Sequence, residues 1–165
     1  MGYWHLYYWP LYGSATAGDS LRQRIVAAVE ARFATILIAN GYKTDIGANV
    51  FIWKPLPFQT SELPGMDVRD TDDTSEAQTI GEEVHTLPLE VRCAVTGDAS
   101  MEDVRKIVAD IKQCIGVDVT WGGLAQDTGL VQGGQGQVET AEKIVTGAVI
   151  KFGVTYTSER FNAYS

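Results

Sequence analysis

The sequence predicts an α+β fold, a mainly antiparallel sheet of about four to five strands with two helices packed on one face. Three observations predict it. From Ala148 the chain alternates, with Ala148, Ile150, Phe152, Val154 and Tyr156 on one side and Val149, Lys151, Gly153, Thr155 and Thr157 on the other. Successive strand residues face opposite sides, so this is a strand with one apolar and one mixed face. Residues 85–96 alternate in the same way, Leu87, Leu89, Val91, Cys93 and Val95 against Pro88, Glu90, Arg92, Ala94 and Thr96. Two other segments repeat apolar residues at helical spacing and supply the cover that such a sheet requires.

The chain divides into an aromatic extension, residues 1–18, and a single domain, residues 19–165. Tyr3, Trp4, Tyr7, Tyr8, Trp9 and Tyr12 crowd the extension, which lacks the basic start and aliphatic core of a secretory signal. It is read either as a segment outside the domain or as an arm that docks on a neighbouring subunit. In the second reading Trp4, Tyr8 and Trp9 are the contacts, since rings this dense are costly to leave in water.

The first helix opens at Asp19 or Ser20, carries Leu21, Ile25, Val26, Val29, Phe33, Ile36 and Leu37 on one stripe, and ends at Asn40-Gly41. A strand is expected over 43–54, with Gly47 marking a bend or bulge and Pro55 and Pro57 stopping the ladder. Residues 55–84 lack periodicity and read as a long acidic loop. The strand over 85–96 contains Pro88, which cannot donate to a ladder and therefore belongs at an edge or before regular pairing begins. Ser100 and Asp103 form a shortened capping box for the second helix, whose stripe is Val104, Ile107, Val108, Ile111 and Ile115, with Gly116 at its end. A glycine-broken strand is expected over 121–132, a turn at Gly133-Gly134-Gln135-Gly136, and then the closing strand.

Charge is unevenly placed. Glu62, Asp67, Asp70, Asp72, Asp73, Glu76, Glu82 and Glu83 face Arg69 alone between positions 57 and 83, which accounts for nearly all of the net charge of −8. The rest of the chain is close to neutral and carries no basic stripe of the kind duplex binding requires. No apolar run reaches membrane-spanning length.

Motifs that would carry chemistry are few. Asp127-Thr128-Gly129 is the triplet that opens the catalytic turn of aspartic proteases, but Ala125-Gln126 stands where an apolar pair normally precedes it. The glycines over 122–136 are not followed by Lys-Ser/Thr, so they do not form a phosphate-binding loop. Cys93 and Cys114 sit among apolar neighbours in a strand and a helix pattern and read as reduced core residues. His85 reads as a histidine solvated at a strand end, with no spacing that makes it a metal ligand or a nucleophile's base. In the acidic run, Asp67, Asp70, Asp72 and Asp73 lack the glycine and distal glutamate of a calcium loop. No catalytic, cofactor-binding or metal-binding residue is assigned. Asp67, Arg69, Asp70, Asp72, Asp73 and Glu76 are instead candidates for a charged interface or channel loop.

Taken in order, five stretches resemble the tail terminator (tail completion) proteins of long-tailed bacteriophages. They are the helix ending in Asn40-Gly41-Tyr42, the strand with Val50 and Trp53, and His85-Thr-Leu-Pro-Leu-Glu-Val91. Met101-Glu-Asp-Val-Arg-Lys-Ile-Val-Ala-Asp-Ile111 and Gly147-Ala-Val-Ile-Lys-Phe-Gly-Val-Thr-Tyr-Thr157 complete the series. The resemblance covers about residues 21–157; the aromatic extension has no counterpart in it, and the acidic segment is long for the family, so its role is not carried over residue by residue. It implies a non-enzymatic structural protein without cofactors, assembled in the host cytoplasm and residing at the neck end of the virion tail. There six copies would form a ring that ends tube polymerisation, touching the tail tube protein and the head-side connector, with DNA only in transit and no membrane contact. The face of the closing strand that carries Val149 and Lys151 is then expected to meet a neighbouring subunit or the tube. Another neck or head–tail joining component is the alternative, and a homodimeric protease using Asp127 a more distant one.

Overall fold

The computed structural model describes residues 18–96, 99–140 and 143–165, and their side chains other than those of 78–79 and 130–146. Trp4, Tyr8 and Trp9 lie outside the described residues. Helix α1 spans Leu21–Phe33 and α2 Met101–Gly116; the strands are β1 Val50–Ile52, β2 Gly65–Asp70, β3 Thr74–Thr79, β4 Glu82–Ala94, β5 Asp127–Thr140 and β6 Lys143–Glu159. The fold is α+β as expected, and the sheet has six strands in the order β1-β2-β4-β6-β5, with β3 also pairing β4. All pairs are antiparallel except β1 with β2.

Register puts the apolar residues of three strands side by side. Met66, Cys93 and Ala148 form one row and Val68, Val91 and Ile150 the next; Leu89 then pairs Phe152, and Leu87 pairs Val154. These residues and the stripes of both helices belong to one buried cluster, so both helices cover the same face. At roughly 1.5–3 kcal/mol for each large aliphatic or aromatic side chain fully buried, this face is the main source of stability. Burial pushes the Cys93 thiol up to about 12, and both cysteines are free and buried.

Ser20 caps α1, its hydroxyl accepting the Gln23 N–H at 3.2 Å. The helix stops at Phe33, four residues before its apolar stripe does. Thr35 turns its hydroxyl back onto the Arg32 carbonyl (2.6 Å), and the Gly47 N–H takes the Ile36 carbonyl (3.0 Å). Gly47 approaches so closely that a Cβ there would lie 2.3 Å from the Phe33 carbonyl oxygen, so only glycine fits. Its role is close packing in a tight turn, not a bulge in a strand. Gly41 takes the left-handed conformation expected of it (φ 92°), though it ends a short 3₁₀ turn rather than α1.

The strand expected over 43–54 shrinks to the three residues of β1. The cause lies across the core: the buried Asp110 carboxylate on α2 accepts the Lys43 N–H (3.0 Å) and the Thr44 hydroxyl (2.7 Å). Those groups are held by a helix and are not free to join a ladder. On α2 the capping box forms as read, Ser100 Oγ accepting the Asp103 N–H and the Asp103 carboxylate accepting the Ser100 N–H.

Two further expectations are corrected. Residues 55–84 are not a continuous loop, because β2 and β3 lie within them. In β2, Met66 and Val68 point into the core while Asp67 and Arg69 point away, an alternation hidden by the surrounding acids. Gly133-Gly134-Gln135-Gly136 is not a turn either; these residues pair with Gly147–Ile150 of β6 inside β5. Pro88 sits in β4 at the changeover between two partners, β2 ending opposite Leu89 and β3 beginning opposite Thr86. The Thr71 N–H reaches the Pro88 carbonyl (3.1 Å), and a strand residue's N and C=O point to one side, so the missing N–H faces the gap.

Trp121 does not begin a strand. It lies in a turn at φ 53°, buried between α1 and the sheet, and its indole N–H donates to the Thr128 hydroxyl at 2.8 Å. Arg32 stacks over it (4.2 Å to the centroid) and binds both the carbonyl and the carboxylate of Asp118. The Thr120 hydroxyl, the N–H groups of Gly122 and Thr120, and Arg32 hold the Asp118 carboxyl well below the usual aspartate range. A carboxylate with a depressed native pKa stabilises the fold above its unfolded value, near 3.9, and loses that contribution as pH falls through the native one. Asp118→Asn is therefore expected to lower the urea midpoint at pH 7, and the gap to the parent should narrow below about pH 4. A gap that is constant with pH would contradict the assignment.

Candidate functional site

The acidic residues singled out from the sequence are not one loop surface. Asp67 is buried behind β2, its carboxylate accepting the Lys54 N–H (2.8 Å) and the Arg69 Nε–H (2.6 Å). Arg69 also donates to the Lys54 carbonyl (3.1 Å), so the pair ties β2 to the chain leaving β1. Asp70 accepts the indole N–H of Trp53 (2.6 Å) and two guanidinium donors of Arg22 on α1. Burial raises the Asp70 pKa, but the Trp53 and Arg22 donors outweigh it and the carboxyl ends below its ordinary value. Asp73 lies between β2 and β3, 3.5 Å from Arg22, and accepts the Tyr156 hydroxyl at 3.1 Å. Only Asp72 and Glu76 of this set are exposed without a hydrogen bond or ion pair among the described residues.

A cavity of about 440 Å³ opens between α1 and the outer edge of β1, with Val26, Gln23, Ile52 and Trp53 among its walls. Trp53 is half exposed and at φ 51° adopts a conformation uncommon for a residue with a Cβ. The sequence marked Trp53 only as part of a strand.

The face of the sheet away from the helices carries the other candidates. Lys151 is exposed and stands directly opposite Glu90, with its ammonium 3.1 Å from that carboxylate; Val149 is half-buried beside Arg92. Arg92 binds the other oxygen of Glu90, so one carboxylate gathers two cations from neighbouring strands. Burial raises the Glu90 pKa, and the two cations more than reverse it. Opposite charges directly across a strand pair add a few tenths to 1 kcal/mol, so this ladder orders the surface more than it stabilises it. Glu90 and Arg92 were not picked out in the sequence, though the alternation of β4 placed them on this face.

His85 is not at a solvated strand end. It lies within β4, its side chain largely buried, with the ring stacked on Tyr156 at 4.8 Å and Ser158 and Asp73 beside it. A serine, a histidine and an aspartate thus meet around one ring, which no linear motif foretells. Ser158 Oγ lies 2.8 Å from His85 Nε2 and 3.1 Å from the Glu159 carbonyl, to which its hydroxyl can donate, whereas Asp73 stands 3.7 Å from Nδ1. At that distance Asp73 makes no hydrogen bond to Nδ1, so the aspartate does not orient the ring as a nucleophile's base requires. The Asp127 triplet has a structural use, for Thr128 anchors the Trp121 indole and donates to the Val119 carbonyl (2.7 Å), leaving Asp127 exposed at the start of β5.

Neither a protein-family model nor a curated protein sequence matches the chain. No helix among the described residues is long and apolar enough to cross a membrane.

Proposed function

We propose that this protein is a structural component of a bacteriophage tail, a terminator that assembles as a ring on the finished tube. The ring halts tube growth and presents a surface to the head-side connector. The sequence resemblance over residues 21–157 suggests the family, and the sheet supports an assembly role through one observation. Both helices lie on one face, while the other face displays a charge ladder of Arg92, Glu90 and Lys151 beside the half-buried Val149. An internally paired polar surface offers many weak, orientation-specific contacts, which suits repeated subunit packing better than the conversion of a small substrate. The ends of the sheet, β1 and β5, are different surfaces, and head-to-tail contacts between unlike surfaces are what close a ring.

Negative-stain electron microscopy of the purified protein, alone and mixed with tail tubes, tests the proposal. A six-fold ring capping tube ends is expected, and cells lacking the protein should make over-length tails. A monomer indifferent to tubes would overturn it. Lys151→Glu breaks the ladder at an exposed site with little cost to folding, and should reduce ring formation about tenfold or more if this face is a contact.

A further inference from the structure

When the neutral ring of His85 carries its one N–H on Nε2, it donates that proton to Ser158 Oγ, whose own proton is then directed at the Glu159 carbonyl. Nδ1 is then bare, and it is a buried atom without a hydrogen-bond partner among the described residues. Its nearest charged neighbour is Asp73 Oδ2, 3.7 Å away, so two acceptors face each other. A buried polar atom left unsatisfied has lost its water without a replacement bond, which disfavours the arrangement. The adjoining cavity, about 300 Å³ with Arg22, Glu83, Phe161 and Asn162 in its walls, does not relieve this. Nδ1 is shut off from solvent, so a ligand in that cavity does not touch it in this arrangement.

Two carboxylates flank the ring. Asp73 approaches from the β2–β3 connection, and Glu83 on β4 lies 4.0 Å from Nε2. Each carboxylate turns one oxygen to the ring and the other to an arginine. Arg22 of α1 is 3.5 Å from Asp73 Oδ1, and Arg160, following β6, is 3.5 Å from Glu83 Oε1. From β6, Tyr156 contributes a neutral hydroxyl that donates to Asp73 at 3.1 Å, and Asp73 and burial together hold its pKa up at about 12.

We infer that His85 is a proton-operated latch on the acidic turn between β2 and β3. A second proton on the ring gives an Nδ1–H that donates to Asp73 Oδ2 and turns two opposed acceptors into a charged hydrogen bond. The turn at 71–73 is thereby drawn onto β4 and β6, and with it the Arg22 contact that Thr71 and Asp73 share with α1. Loss of the proton removes that bond and loosens the turn, which then keeps only its Arg22, Tyr156 and Pro88 contacts. The latch needs only the single chain and does not depend on ring assembly.

Nitrogen NMR of the ¹⁵N-labelled full chain tests it, with His5→Gln used to assign the two rings. At pH 7.5 the His85 ring should be the Nε2–H tautomer, and at pH 5.5 it should be doubly protonated. Hydrogen exchange at the Thr71 amide, corrected for the intrinsic rate, should slow at least about threefold over the same change. Asp73→Asn preserves an acceptor for Tyr156 but removes the charge, and His85→Gln removes the titration; both should abolish the slowing. An Nδ1–H tautomer at pH 7.5, or the same slowing in both variants, would overturn the latch.

Discussion

Phe33→Ala is expected to lower folding stability by about 4 kcal/mol, measured by urea denaturation. The ring is fully buried at the last turn of α1, edge-on to Trp121 (6.2 Å between centroids) and to Phe152 (6.1 Å), while Trp121 and Phe152 stack on each other at 6.3 Å. These three rings join a helix, a turn and the closing strand. Truncation opens a cavity and removes two edge-to-face contacts, each adding about 0.5–1.5 kcal/mol to the loss from burial. The backbone around Phe33 is pinned by Gly47 and Thr35, so the cavity cannot collapse. Phe161→Ala, at a ring 87% exposed, should stay within about 0.5 kcal/mol of the parent and serves as the control. Equal losses in the two variants would mean that the three-ring junction is not the keystone argued for.

Asp67→Ala is expected to cost about 3 kcal/mol, in contrast to Asp72→Asn, which should change stability by less than about 0.5 kcal/mol. Both residues belong to the same acidic run, yet Asp67 is 1% exposed and carries the Arg69 guanidinium and the Lys54 N–H. Removing it strands a half-buried cation and an amide with no acceptor, and such groups cost more unpaired than the pair gains by forming. Arg69 retains some solvent access, which keeps the loss below that of a fully buried pair. A comparison of urea midpoints decides the matter: similar shifts in the two variants would return Asp67 to the surface role expected of it from the sequence. Ring assembly is better probed at Asp72 and Glu76, where charge can change without loosening the fold.

The acidic run shows where reading along the chain fails. Composition averages over neighbours, and Met66 and Val68 are two apolar residues among many acids; only the pairing of β2 with β4 shows that they continue the core rows of Val91 and Cys93. The same holds for His85. Its partners Asp73, Tyr156 and Ser158 are distant in sequence and meet through the β4–β6 register and the turn before β3. The expected strand over 43–54 failed for a related reason, since the buried Asp110 on α2 claims the Lys43 and Thr44 donors that a ladder would have used.

By itself the sequence determined whatever is periodic or local. The alternation of Ala148 to Tyr156 and of Leu87 to Val95, the stripe of α2 and that of α1 as far as Phe33, the Ser20 and Ser100 caps and the left-handed Gly41 all hold in the structure. The closing strand is the floor under both helices, and its opposite face carries Lys151 and Val149 as read. Tertiary structure alone decided which acids are buried partners and which are free, where a helix yields to a turn, and how a histidine comes to face an aspartate. Periodicity is written in a residue's near neighbours, whereas a buried charge takes its character from groups brought to it by the sheet register and by helices packed across the core.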